Sequence, residues 1–143
     1  MYAALRGLPI PDEVVARCFH AASLLREHRG DGHIVALMVE GVARLEAHVL
    51  FALDMNMPAE KFGRIHHLPA TQLAAVIDGM RDRGLIGDDG WLSEPGRAVK
   101  QRVEALTDDL AARPYESLEP GELDELMAAL EPLATLLLAA QDW

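Results

Sequence analysis

One run of eleven residues restricts the fold more than any other stretch: Arg83-Gly84-Leu85-Ile86-Gly87-Asp88-Asp89-Gly90-Trp91-Leu92-Ser93. Gly84 is suited to end a helix, because the residue just past a helix often takes a left-handed conformation that costs glycine little. The two short apolar pairs around Asp89-Gly90 read as a tight β-hairpin. Ser93 then supplies a side-chain oxygen suited to cap a new helix. Upstream, Pro69 opens a helix whose apolar positions are Leu73, Val76, Ile77 and Met80, at the spacing of one helical face. Before it, Pro58 to Leu68 reads as a short helix with proline at its start. Downstream, a long helix runs from Glu94 to about Arg113. Short helix, second helix, hairpin and long helix in this order predict a mainly α fold: a winged helix-turn-helix with flanking long helices and one short β-hairpin as its wing.

The flanks are helical by the same criteria. Pro11-Asp12-Glu13 is a helix opening with acids in the first turn, and Val14, Val15, Cys18, Ala22 and Leu25 recur at helical spacing to about Glu27. Gly30-Asp31-Gly32 is expected to interrupt that helix, since glycine costs about 1 kcal/mol inside a helix and Asp is a good N-cap. A new helix would then start near His33 and reach Gly41; one continuous helix through the glycines is the alternative. Leu45, Val49, Leu50 and Leu53 outline a further helix. Pro114 and Pro120-Gly121 mark a loop, and a last helix spans Glu122 to Ala140 with a stripe of Leu126, Leu130, Leu133, Leu136 and Leu137. Such a stripe serves an intrachain core or a second subunit equally well. We expect a single domain over residues 1–143, with amino-terminal helices at 1–55, the helix-turn-helix core at 56–93 and long carboxy-terminal helices at 94–143.

A chain of 143 residues, half of them apolar, is about one domain long and can bury one core. It carries no run of apolar residues long enough to span a membrane and no secretory pattern at its start, which predicts a cytoplasmic location. The lone cysteine, Cys18, lies in an apolar helical pattern beside Phe19 and is expected to be a buried thiol. His20 and His48 read as buried, hydrogen-bonded histidines, and Trp91 as the residue packing the wing down. The net charge of −10 counts against nucleic acid, because phosphate binding needs Lys and Arg. Most of that charge belongs to residues 101–143, which hold ten acids and two bases. Residues 69–93 are also net negative, with Arg81 and Arg83 set against Asp78, Asp82, Asp88 and Asp89.

The densest group of chemically capable side chains is Glu27-His28-Arg29-Gly30-Asp31-Gly32-His33. If a helix begins at His33, its free N–H groups and Arg29 would attract an anion, with Glu27, Arg29 and Asp31 as ligand-binding residues. His28 and His33 are then the candidate acid–base residues, since histidine titrates near neutral pH. The competing reading is a structural hub in which Arg29 pairs with Asp31 or another carboxylate. Neither zinc-binding spacing, nucleophile elbow, phosphate loop nor dinucleotide fingerprint occurs, so no metal or cofactor is expected.

The run Arg81-Asp82-Arg83-Gly84-Leu85-Ile86 followed by Leu92-Ser93-Glu94-Pro95-Gly96-Arg97-Ala98 resembles the passage from recognition helix through wing to dimerisation helix in MarR-type proteins. Leu24 to Leu37, with its Glu-His-Arg-Gly-Asp-Gly-His motif, and Glu104 to Ala111 are similar to an actinobacterial helix-turn-helix or MarR-like family whose role is not established. Members commonly have about twice this length, and this chain resembles their carboxy-terminal half, beginning near Leu8-Pro9-Ile10-Pro11-Asp12. The resemblance implies a homodimer. Together these features predict a winged-helix protein that binds a small organic molecule, anionic or aromatic, near Glu27 to His33, whether to sense, sequester or transform it. The alternative is a ligand-responsive DNA-binding regulator using Lys61, Arg64, Gln72, Arg81 and Arg83, with His66 and His67 close to the backbone. A third reading is a small acid–base enzyme using His28 or His33.

Overall fold

The computed structural model describes residues 1–140 and consists of six α-helices joined by turns and two 3-10 segments. The helices are α1 (Tyr2–Arg6), α2 (Val14–Val39), α3 (Arg44–Asp54), α4 (Ala70–Asp82), α5 (Glu94–Ala111) and α6 (Glu122–Ala139). The chain divides into two compact units, one from Met1 to Ala111 and one beginning at Ala112. None of the described helices is long and apolar enough to cross a membrane.

Helix α2 is the main correction to the sequence-based expectation. It starts where predicted, with the Glu13 carboxylate accepting from the Val15 and Ala16 amides at 3.0 and 2.7 Å. It then continues without interruption through Gly30-Asp31-Gly32 to Val39. The glycine penalty is overridden by packing against α5, which runs antiparallel to it. Gly32 lies against the Leu110 side chain. Ala36 is fully buried. At one end of this contact Arg29 pairs with Glu104 and Asp108, and at the other Arg102 pairs with Glu40. A small residue at position 32 permits close approach of the helices, so the feature that predicts a break serves as a packing notch. Gly41, at φ 65°, closes the turn that follows α2, and the Val42 amide donates back to the Leu37 carbonyl at 2.8 Å.

The core of the first unit is built by Val49, Leu50 and Leu53 of α3, Ile65, Leu73 and Met80 around α4, and Val99 and Val103 of α5. The predicted short helix at 58–68 is reduced to a 3-10 turn, Ala59–Lys61, followed by turns in which the Ile65 and His66 amides donate to the Phe62 carbonyl. Buried Ala59 and Ile65 pin this segment without a full helix.

The predicted β-hairpin wing is not formed: among the described residues there is no strand, only an isolated bridge between Ile86 and Leu92. The turn itself is present, with Gly90 at φ 82° and its amide donating to the Gly87 carbonyl. The flanking apolar pairs are consumed by the core. Leu85, Ile86 and Leu92 are buried, the Leu85 amide donates to Met80, and the Leu85 carbonyl accepts from Ser93. Gly96 then presses onto that carbonyl so closely that a Cβ there would meet it at 2.1 Å. No residues remain to extend a ladder. Trp91 stays exposed and does not pack the turn down. Ser93 does cap α5, accepting from the Gly96 amide at 3.1 Å.

In the second unit, a 3-10 segment from Arg113 to Ser117 precedes α6, which tolerates Pro132 within it. Its leucines, Leu126, Leu130, Leu133, Leu136 and Leu137 included, are exposed. Residues 141–143, the end of the predicted carboxy-terminal region, lie outside the described residues.

Candidate functional site

The Glu27 to His33 cluster is spread around a continuous helix instead of gathering at a helix start. Its members therefore take separate partners. Glu27 pairs with Arg26. Arg29 reaches Glu104 at 3.1 Å and Asp108 at 3.3 Å, not Asp31. The Asp31 carboxylate accepts from the Tyr2 amide at 3.2 Å and from the Met1 amino group. His28 packs against the Tyr2 ring, with centroids 5.0 Å apart. There are no free helix N–H groups at His33, so the anion site that depends on them is absent.

His33 has a different setting. It lines a cavity of about 830 Å³ in the first unit, walled by α2, α3 and the segment before α4. That volume lies within the range of small-molecule sites. Ile34, Leu37 and Met38 of α2 and Ala47 and Phe51 of α3 form its apolar walls, with Phe62 beside Phe51 at 5.4 Å between ring centroids. The polar lining consists of His33, Arg44, His48 and Arg64. Four of the five cluster residues named from the sequence as ligand-binding or acid–base, Glu27, His28, Arg29 and Asp31, are not among the lining residues.

The two histidines differ from free imidazoles. His33 Nδ1 is 2.9 Å from the Thr107 hydroxyl, whose only hydrogen is donated to the Val103 carbonyl at 2.6 Å. Nδ1 must therefore carry the proton and donate it, leaving Nε2 of neutral His33 as an acceptor. Burial lowers the His33 pKa, against an opposing pull from Glu104. Burial also lowers that of His48, assisted by the neighbouring Arg64 and Arg44 guanidinium groups. His48 is half-buried as a cavity-lining residue with no hydrogen-bond partner among the described residues, unlike the expected satisfied core histidine. His20 is likewise only half-buried, and Cys18 is exposed instead of buried, because α2 presents Val14, Val15 and Phe19 to solvent along the same stretch.

Sequence reasoning missed Arg44, His48, Phe51 and Phe62 as site residues. One signal was available: two of the three phenylalanines fall within a dozen residues of one another. It was too weak to place them on one wall, because α3 and the turns after it are joined only in three dimensions.

The second candidate surface is α4. Its exposed positions are Ala70, Thr71, Gln72, Ala74, Ala75, Asp78 and Asp82, which offer two uncharged polar side chains for base edges and no free cation. Arg81 pairs with Asp78 at 2.7 Å. Arg83 is held by Glu46 at 2.8 Å and by the Gly41 carbonyl, which ties the end of α4 to the start of α3. Lys61 and Arg64 are exposed in the preceding segment, as are His66 and His67, whose rings meet edge to face.

No curated protein and no solved structure matches this sequence. A family model described as a helix-turn-helix family matches all of it, residues 1–143. The chain belongs to that helix-turn-helix family.

Proposed function

We propose that this helix-turn-helix chain binds a small, largely apolar organic molecule in the cavity between α2 and α3. The observation that supports this reading is the cavity itself. The space of about 830 Å³ opens to solvent and leaves Ile34, Met38 and Phe51 exposed, apolar surface that a bound molecule would remove from water. The site differs from the one expected at Glu27 to His33, with His33 as the residue common to both.

The neutral fluorescent probe 1-aminoanthracene tests the reading on the full chain. Saturable binding is expected. The Ala47→Trp variant, which fills the cavity from α3, should weaken it at least about tenfold while leaving the melting temperature close to that of the parent. Undiminished binding in Ala47→Trp and in Leu37→Trp would place the probe elsewhere and remove the proposal.

DNA binding is the second reading, favoured by the family to which the chain belongs. Lys61 and Arg64 for phosphates and Gln72 for a base edge would carry it. The pairing of Arg81 and Arg83 with carboxylates weighs against it. A mobility-shift titration with generic duplex at low salt decides the matter: retention that falls steeply with added salt supports this reading, and none at low salt excludes it.

A further inference from the structure

Two of the cavity's polar residues carry a fixed positive charge, in a chain with 23 acids and 13 lysines and arginines. Arg26, Arg29, Arg81, Arg83, Lys100 and Arg102 are each engaged by a carboxylate. Seven others form no ion pair among the described residues, and of these Arg44 and Arg64 are the two that line the cavity. Arg44 lies one helical turn before His48 on α3, and Arg64 lies two residues after Phe62, whose ring centroid is 6.0 Å from that of His48, so both belong to the His48 side of the space. His33 belongs to another end. Arg44 opens α3 just past the turn that closes α2, whereas His33 lies six residues back from Val39, about 9 Å along the helix axis. The His33 ring is bonded through Nδ1 to Thr107 of α5, which is not a lining residue.

Resting on the cavity reading above, we infer that the ligand class is an aromatic or similarly flat apolar anion, with its acid group held by Arg44 and Arg64 and a hydroxyl donated to His33 Nε2. Each part answers a feature of the lining. Two unpaired guanidinium groups at one mouth suit a carboxylate or sulfonate, which guanidinium binds through paired N–H donors. Phe51 and Phe62 offer faces and edges for a ring between the ends. Neutral His33, with its Nδ1 proton committed to Thr107, needs a donor and would leave a second carboxylate unmatched. Burial and the two arginines lower the His48 pKa, which disfavours a third positive charge there.

The test uses the full chain and three related probes followed by isothermal titration calorimetry: 6-hydroxy-2-naphthoate, 2-naphthoate lacking the hydroxyl, and 6-hydroxy-2-naphthamide lacking the charge. The first should bind tightest. Loss of the charge should weaken binding at least about tenfold, and loss of the hydroxyl by about tenfold or somewhat less. In the Arg44→Ala/Arg64→Ala double variant the naphthoate and the naphthamide should bind alike. In His33→Leu the advantage of the hydroxyl should vanish while that of the charge remains; Thr107 keeps its bond to Val103 there, so the variant should fold. Equal binding of all three probes to the parent chain, or an advantage of charge that survives removal of both arginines, overturns the ligand class. If 1-aminoanthracene still binds in a manner sensitive to Ala47→Trp, the cavity reading survives that failure; if it does not, both fall together.

Discussion

The Gly32 backbone of α2 lies against the Leu110 side chain of α5, so close that a Cβ at position 32 would stand 3.2 Å from the Leu110 Cβ. Gly30, one residue pair earlier in the same helix, has open space where its Cβ would be. Two glycines that look alike in sequence therefore have opposite roles. Both weaken the helix by about 1 kcal/mol relative to alanine, but only at Gly32 would a Cβ meet a packed neighbour.

Substitution separates them. Gly30→Ala should raise stability by about 0.5–1 kcal/mol through helix propensity alone. Gly32→Ala should lose that gain to overpacking, which typically costs about 1–3 kcal/mol, and come out less stable than the parent. Urea denaturation of the two variants is the measurement. Equal stabilisation by both would mean that the helices do not meet at Gly32.

Arg83 is read as a base or phosphate contact when only the sequence is considered, yet its guanidinium spans the Glu46 carboxylate and the Gly41 carbonyl. Glu46 is also the residue that accepts from the Ala43 amide at the start of α3. Arg83→Ala is therefore expected to lower stability by about 1 kcal/mol, since the arginine is half-exposed and its ion pair is partly screened. Thermal unfolding checks this. An unchanged melting temperature would return Arg83 to the list of residues free to contact a partner.

His33 and His48 give stability a pH dependence of definite sign. Both have folded-state pKa values lowered by burial. Just below the ordinary histidine value of about 6.5 the unfolded chain therefore binds more protons than the folded one. Stability should be fully present above that value and decline as pH falls through it towards the folded pKa values. Glu104, held below the usual carboxylate range by Lys100 and Arg29 despite its burial, and Glu13, lowered by the Ala16 and Val15 amides, extend the decline below pH of about 4.5. Denaturant midpoints at pH 7.5 and 5.5 should differ in the parent, and the difference should shrink in a His33→Leu/His48→Leu double variant. A difference of the same size in both would assign the dependence to other groups.

Much of the helical layout was legible in the sequence because it depends on local chemistry. The start of α2 at the Glu13 cap, the end of α4 before Gly84 and the cap of α5 at Ser93 each need only a few adjacent residues. The wing was misread for a reason outside the run that predicts it: Leu85 and Ile86 have the turn of a hairpin, but the core and Gly96 occupy both their side chains and their backbone. For the site, His33 was legible as a histidine worth naming, whereas its neighbours in sequence were poor guides to its neighbours in space.

By itself, the sequence determined that the chain is mainly helical, where most of its helices begin and end, and that its charge is strongly negative, because capping, periodicity and composition act over short distances. Tertiary structure alone decided that Gly30 to Gly32 remain helical, that Arg29 meets Glu104 instead of Asp31, and that His33 shares a cavity with Arg44, His48 and Arg64. The physical reason is the close antiparallel packing of α2 on α5. It outweighs the local preference of two glycines to break a helix, and in doing so it turns the polar cluster around the helix and leaves one of its histidines facing the space beside α3.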